Sequence, residues 1–206
     1  LNNLNNLNDL NDLDNTKIHT IIEKDCFVNS IEFNANLYTN KKILCQIAYW
    51  IFNTNVDLNK IKINKKSLKK FILQVSMYYH NNYYHNFKHA IFVLQFVHLL
   101  IDKIDIKNKL SQYEIFAILI AALIHDIDHP GNSNSFEINS QSNLALKYNN
   151  KSVLENHHCS FAFYLIHSKE IKLLENLNKN DFIIVRDMIV ECVLTTDMKL
   201  HSNLID

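Results

Sequence analysis

The sequence predicts an all-α fold, and three observations carry that reading. The 206 residues hold one glycine and one proline, adjacent at Pro130-Gly131, where a sheet-rich chain would need turn residues throughout. Apolar residues recur at helical spacing, as in Leu68, Phe71, Ile72, Val75 and Tyr79. No stretch alternates apolar and polar residues for long enough to require a strand, and no internal repeat appears.

Residues 1–15, LNNLNNLNDLNDLDN, read as a low-complexity lead, disordered or only partly helical. Residues 41–53 form a short apolar helix containing the only tryptophan, and 54–65 read as a polar linker. Residues 66–80 are the helix whose spacing is given above. Residues 86–102 continue as a helix with Ile91, Leu94, Val97, Leu100 and Ile101 inward. The helix over 111–126 opens on Ser111 with Glu114 three positions on, a capping-box pattern. Residues 135–148 give one or two short helices. Amphipathic helices follow over 152–167 and over 182–200, the last capped by Asp181.

The chain is long enough for one domain with a real core. Its formal net charge is zero, so nothing suggests a nucleic-acid or anionic-membrane partner. No run of 18 apolar residues marks a membrane span in this segment, and no signal peptide opens it. Cys26, Cys45, Cys159 and Cys192 lack CxxC spacing and read as scattered thiols of a reducing compartment. The expected location is therefore cytoplasmic. The abundance of Asn and Lys reads as base-composition bias rather than chemistry.

The chemistry centres on residues 119–134, LIAALIHDIDHPGNSN. An apolar helix runs into His125, Asp126, Asp128 and His129 and stops at Pro130-Gly131. A buried carboxylate costs several kcal/mol unless it is paired or bound to a cation, and a metal explains the cluster most simply. His85 and His89, four apart, point to one face if their segment is helical. His89, His125 and Asp126 supply three ligands for a divalent ion, and the second oxygen of Asp126 can bridge a harder ion such as Mg²⁺. Two ions about 3.5–4 Å apart would acidify a bridging water for attack on phosphorus. His85 is then free to donate a proton, with Glu155 the best candidate for the carboxylate that keeps it protonated. Other readings stand beside these. Ser152 and Glu155 also fit a capping box, which would make Glu155 structural. Tyr83, Tyr84 and Phe87 fit packing as well as substrate contact, and His19, His80, His98 and His167 read as ordinary surface or core residues.

Four blocks resemble, in order, the signatures of class I cyclic-nucleotide phosphodiesterases: YHNFKHA (84–90), HDIDHPGNSN (125–134), SNLALKYNNKSVLENHH (142–158) and TTDMKLH (195–201). The resemblance covers residues 66–201 and implies an all-helical, HD-type catalytic domain. It implies hydrolysis of 3′,5′-cyclic nucleotides, cyclic AMP or cyclic GMP, to 5′-nucleotides. By that resemblance His85 is the general acid, and His89, His125 and Asp126 hold a tight Zn²⁺. Asp126 also reaches a second ion, Mg²⁺ or Mn²⁺. His129 and Glu155 hold water around that ion, with Glu155 near His85. Asn134 and Thr196 support the site, and Tyr84 and Met198 line the nucleotide cleft.

Asn143 stands where the family usually carries Glu. The family's fourth zinc ligand, its purine-gripping glutamine and its stacking aromatic are expected beyond Asp206. Residues 16–206 are therefore expected to be the N-terminal part of a catalytic domain, incomplete at the C-terminus and inactive or nearly so alone. The parent is open to a membrane anchor and to homodimerisation. The alternatives are another HD-type nucleotide phosphohydrolase, or an inactive fragment acting only as an interaction partner.

Overall fold

The computed structural model describes residues 27–201, and the lead at 1–15 lies outside them. Among the described residues every regular element is helical. The main helices are α1 (Lys41–Asn55), α2 (Lys65–Tyr78), α3 (Phe87–Lys103) and α4 (Gln112–Ile124). Two short helices follow, α5 (Asn134–Asn139) and α6 (Asn143–Lys147), then α7 (Val153–His167), α8 (Lys179–Leu194) and α9 (Met198–His201). No helix of the described residues is long and apolar enough to cross a membrane.

Asparagine starts many of these helices. The side chains of Asn40, Asn64, Asn86 and Asn178 accept from the first free N–H groups of α1, α2, α3 and α8, the usual requirement at an N-terminus. The asparagines are therefore more than a composition bias. Asn178, rather than Asp181, caps α8; Asp181 lies in its first turn. The Ser111–Glu114 capping box forms as expected. Ser152 makes no capping bond and instead donates to Asp197 at 2.8 Å. The segment expected as a polar linker buries Val56, Leu58, Ile61 and Ile63, because four apolar side chains spaced through it join the core.

Helix α4 is the centre of the fold. Ile115, Phe116, Ala117 and the run Leu119–Ile124 are all buried, and a helix that is apolar all round belongs inside. It packs against α3, α8 and α1, with Phe116 edge-on to Phe52 at 5.8 Å. Each fully buried Leu, Ile or Phe contributes about 1.5–3 kcal/mol, so α4 is costly to displace. A polar knot sits between α1 and α3: Asn55 Nδ2 donates to His98 Nδ1 at 2.8 Å, and His98 Nε2 lies 2.9 Å from Asn29 Oδ1. That pairing leaves His98 neutral with its proton on Nε2.

Few turns use glycine. Among the described residues nine that are not glycine take positive φ, including Lys62, Asp105, Asp128, Asn149, Asn150 and Lys172, while Gly131 lies at φ +89°.

Candidate functional site

Helices α3 and α4 follow one another as a hairpin, so the first turn of α3 meets the end of α4. The first turn brings His89 and the end of α4 brings His125 and Asp126. His125 Nε2 lies 3.2 Å from His89 Nε2. Asp126 Oδ2 lies 3.2 Å from His125 Nε2 and 3.4 Å from His89 Nε2. His85 Nδ1 donates to the same oxygen at 2.9 Å. His85 is not on the helix: Asn86 caps α3, and His85 reaches the cluster from the preceding loop.

The protonation pattern follows from the partners. His125 Nδ1 donates to the Ala122 carbonyl at 3.0 Å, so a neutral His125 carries a bare lone pair at Nε2. Burial pushes the Asp126 carboxyl up, but His125, then His85, outweigh it and hold it well below the usual carboxylate range. The same pairing with Asp126 raises His125 against its burial. His89 is lowered, first by burial and then by His125. A carboxylate oxygen and two imidazole nitrogens thus face one another within 3.4 Å and need positive charge between them. Nitrogen and oxygen donors at this spacing fit a divalent cation.

A second convergent group is His85, Asp126 and His129. The His85 and His129 rings stack at 3.9 Å, 9° from parallel. His129 is lowered to about 4, first by burial and then by His85. Its Nδ1 accepts from the Gly131 N–H at 2.9 Å, so the neutral ring carries its proton on Nε2. His129 therefore presents a donor, suited to water or phosphate oxygen, where His89 and His125 present lone pairs.

Glu155 lies at the start of α7, and burial raises its carboxyl pKa. Both oxygens accept from Asn134 Nδ2, at 3.1 and 2.9 Å, while Asn134 Oδ1 accepts from the Leu154 N–H at 2.9 Å. Asn134 is thus the partner of Glu155, and Asp126 is the carboxylate against His85. Tyr84 covers the cluster, its ring 4.4 Å from that of His89 and edge-on to His85 at 5.0 Å. The Thr196 hydroxyl donates to the Val193 carbonyl at 2.7 Å. Thr196 and the exposed Met198 follow the end of α8. These residues line one open cleft of about 800 Å³ that contains all ten side chains singled out in the sequence.

Several supporting residues had no role assigned from the sequence. The Tyr79 hydroxyl donates to the Leu123 carbonyl and accepts from the Asp126 N–H. Asn82 Nδ2 donates to the His129 carbonyl at 2.8 Å and the His85 carbonyl at 3.2 Å. His158, lowered to about 3 by burial, donates to the Ile127 carbonyl at 2.6 Å. The His157-His158 doublet was the one available signal.

Comparison with known proteins bears on the same region. Residues 84–206 match the family described as 3′5′-cyclic nucleotide phosphodiesterase. A probable 3′,5′-cyclic phosphodiesterase, pde-1, of Caenorhabditis elegans is 34% identical over 187 residues, 90% of this chain and 28% of that protein. The 3′,5′-cyclic-nucleotide phosphodiesterase regA of Dictyostelium discoideum is 40% identical over 172 residues, 82% of this chain and 21% of that protein. The crystal structure of the phosphodiesterase domain of the RhoPDE fusion protein from Salpingoeca rosetta superposes with a TM-score of 0.81 at 35% identity. That match covers 90% of this chain and 57% of the other.

Proposed function

The chain belongs to the 3′5′-cyclic nucleotide phosphodiesterase family, and from that premise we propose that its cleft is the metal-holding side of a site that hydrolyses 3′,5′-cyclic nucleotides. The reaction adds water across the P–O3′ bond: the water oxygen joins phosphorus, the leaving 3′ oxygen takes a proton, and a 5′-nucleotide results. His89, His125 and Asp126 would hold Zn²⁺, and the remaining valence of Asp126 would reach Mg²⁺ or Mn²⁺. Such ions supply charge neutralisation at the phosphate and acidify water.

The chain's own residues do the rest. His85, with Nδ1 committed to Asp126, has Nε2 left to carry a proton to the 3′ oxygen. Asp126 fixes the orientation of that ring. His129 offers an N–H towards the cleft, and Glu155, clamped by Asn134, orients water at its far side. Tyr84 and Met198 flank the space for the nucleotide. Thr196 braces the wall that carries Met198.

One observation carries this reading: His89, His125 and Asp126 present three donor atoms within 3.4 Å of one another in an open cleft. The test is metal analysis together with hydrolysis of cyclic AMP and cyclic GMP by the protein at its full natural length. Bound zinc, and turnover that His85→Ala removes while zinc is retained, is the expected result. Absence of zinc, or turnover indifferent to His125→Ala, overturns it. Zinc binding without turnover by that protein would favour a role as an interaction partner.

A further inference from the structure

The turn that carries Asp126 and His129 is itself held by a carboxylate with no part in the chemistry above. Asp128 sits in it at φ +58°, a backbone region that L residues rarely adopt and that Asp and Asn tolerate best. Such a conformation persists where the surroundings over-determine it. Each Asp128 oxygen accepts from a different imidazole: His80 Nε2 to Oδ1 at 2.8 Å and His157 Nε2 to Oδ2 at 2.8 Å. Its N–H donates to the Tyr78 carbonyl at 3.1 Å. Asp128 therefore ties together the end of α2, the loop before α3 and helix α7.

We propose that Asp128 is a positioning residue for the metal centre, acting through a His80–Asp128–His157 clamp. This rests on the reading that His89, His125 and Asp126 bind a divalent cation. Asp126 and His129 flank Asp128 in one turn, closed by the His129 N–H donating to the Asp126 carbonyl at 3.2 Å. Whatever fixes Asp128 fixes the direction of the Asp126 carboxylate. The clamp also needs the negative charge of an aspartate. His157 Nδ1 is buried without a hydrogen-bond partner, so a proton there would be a buried, unsatisfied donor. His157 thus keeps its proton on Nε2 and must meet an acceptor. An asparagine at 128 has one acceptor oxygen for two such donors, and its amide would face the other.

Calorimetric titration of the full chain with Zn²⁺, with Co²⁺ as a spectroscopic stand-in, tests this. Asp128→Asn retains the left-handed backbone and the side-chain size, and His80→Ala cuts only the exposed arm. Zn²⁺ affinity is expected to fall about 10–100-fold in Asp128→Asn, the usual effect of losing a residue that orients a ligand, and by less in His80→Ala. His80→Gln, which keeps a donor, should restore most of the loss. The Co²⁺ absorption bands should shift while metal-free melting of His80→Ala is unchanged. Undiminished affinity in both Asp128→Asn and His80→Ala, or a loss that follows metal-free melting and is not restored by Gln, overturns the clamp. If the unsubstituted chain binds neither ion, the metal reading fails, and the clamp fails with it.

Discussion

Asn134 spends its whole amide on α7: Nδ2 donates to both oxygens of Glu155, and Oδ1 accepts from the Leu154 N–H. One residue therefore starts the helix and sets the carboxylate. Asn134→Ala removes the partner of two buried residues, and an unsatisfied buried group costs about 1–3 kcal/mol. Urea unfolding should show a loss of that size. Because the Asn134 bond favours the ionised form, its removal should raise the already elevated Glu155 pKa further, visible as an upward shift of its carboxyl titration by NMR.

Cation binding should be coupled to stability. The donors meet only in the folded chain, where α3 and α4 come together, so Zn²⁺ at 100 times its dissociation constant should add about 2.7 kcal/mol. Differential scanning calorimetry with zinc and with a chelator measures this. The increment should vanish in His125→Ala, whose Nε2 stands 3.2 Å from both His89 and Asp126.

His98 should make the fold acid-sensitive well away from the cleft. Burial lowers its pKa, followed by Lys107, and its Nδ1 is taken by Asn55. The folded value lies below the ordinary imidazole value of about 6.5, so the unfolded chain binds more protons in that window. The stability from neutral His98 is complete above about 6.5 and is lost as pH falls below it towards the folded value. Unfolding measured against pH in the unsubstituted chain and in His98→Phe should show a shallower acid slope in the variant, the other buried histidines being common to both.

Gly131 is needed for its backbone. At φ +89° a side chain is strained, and a Cβ would stand 3.3 Å from Asn82 Oδ1. Asn82 is the residue that bridges the His129 and His85 carbonyls. Gly131→Ala should cost about 1–2 kcal/mol for the left-handed backbone alone and should also weaken Zn²⁺ binding by moving Asn82. Urea unfolding and zinc titration of that variant measure the two effects separately.

Much of this was legible in the sequence, for a physical reason. Helical periodicity and a capping box are local, so α2, α3 and α4 and the Ser111–Glu114 start could be read directly. His89, His125 and Asp126 could be named from their ligand chemistry and the resemblance to the phosphodiesterase signatures, and the structure brings their donor atoms together. What the sequence hid depends on loops meeting at long range. His80 and Asp128 are 48 residues apart, and His157 is 29 from Asp128, with no spacing rule to join them. Asn86 as a cap displaced His85 from the helix, and Asn178 displaced Asp181 from the cap, because asparagine was read as background. The partner of Glu155 lies 21 residues away in α5, so a local capping motif was no guide to it.

The scarcity of glycine has a consequence beyond the turns themselves. Residues such as Lys62 and Lys172 hold left-handed geometry without any ligand to position, so the chain carries small, scattered tensions in its scaffold. Its one glycine, Gly131, stands instead at the cleft, held by its bond to His129. Heating should therefore loosen the periphery first and leave α4, buried along most of its length, as the last part to let go.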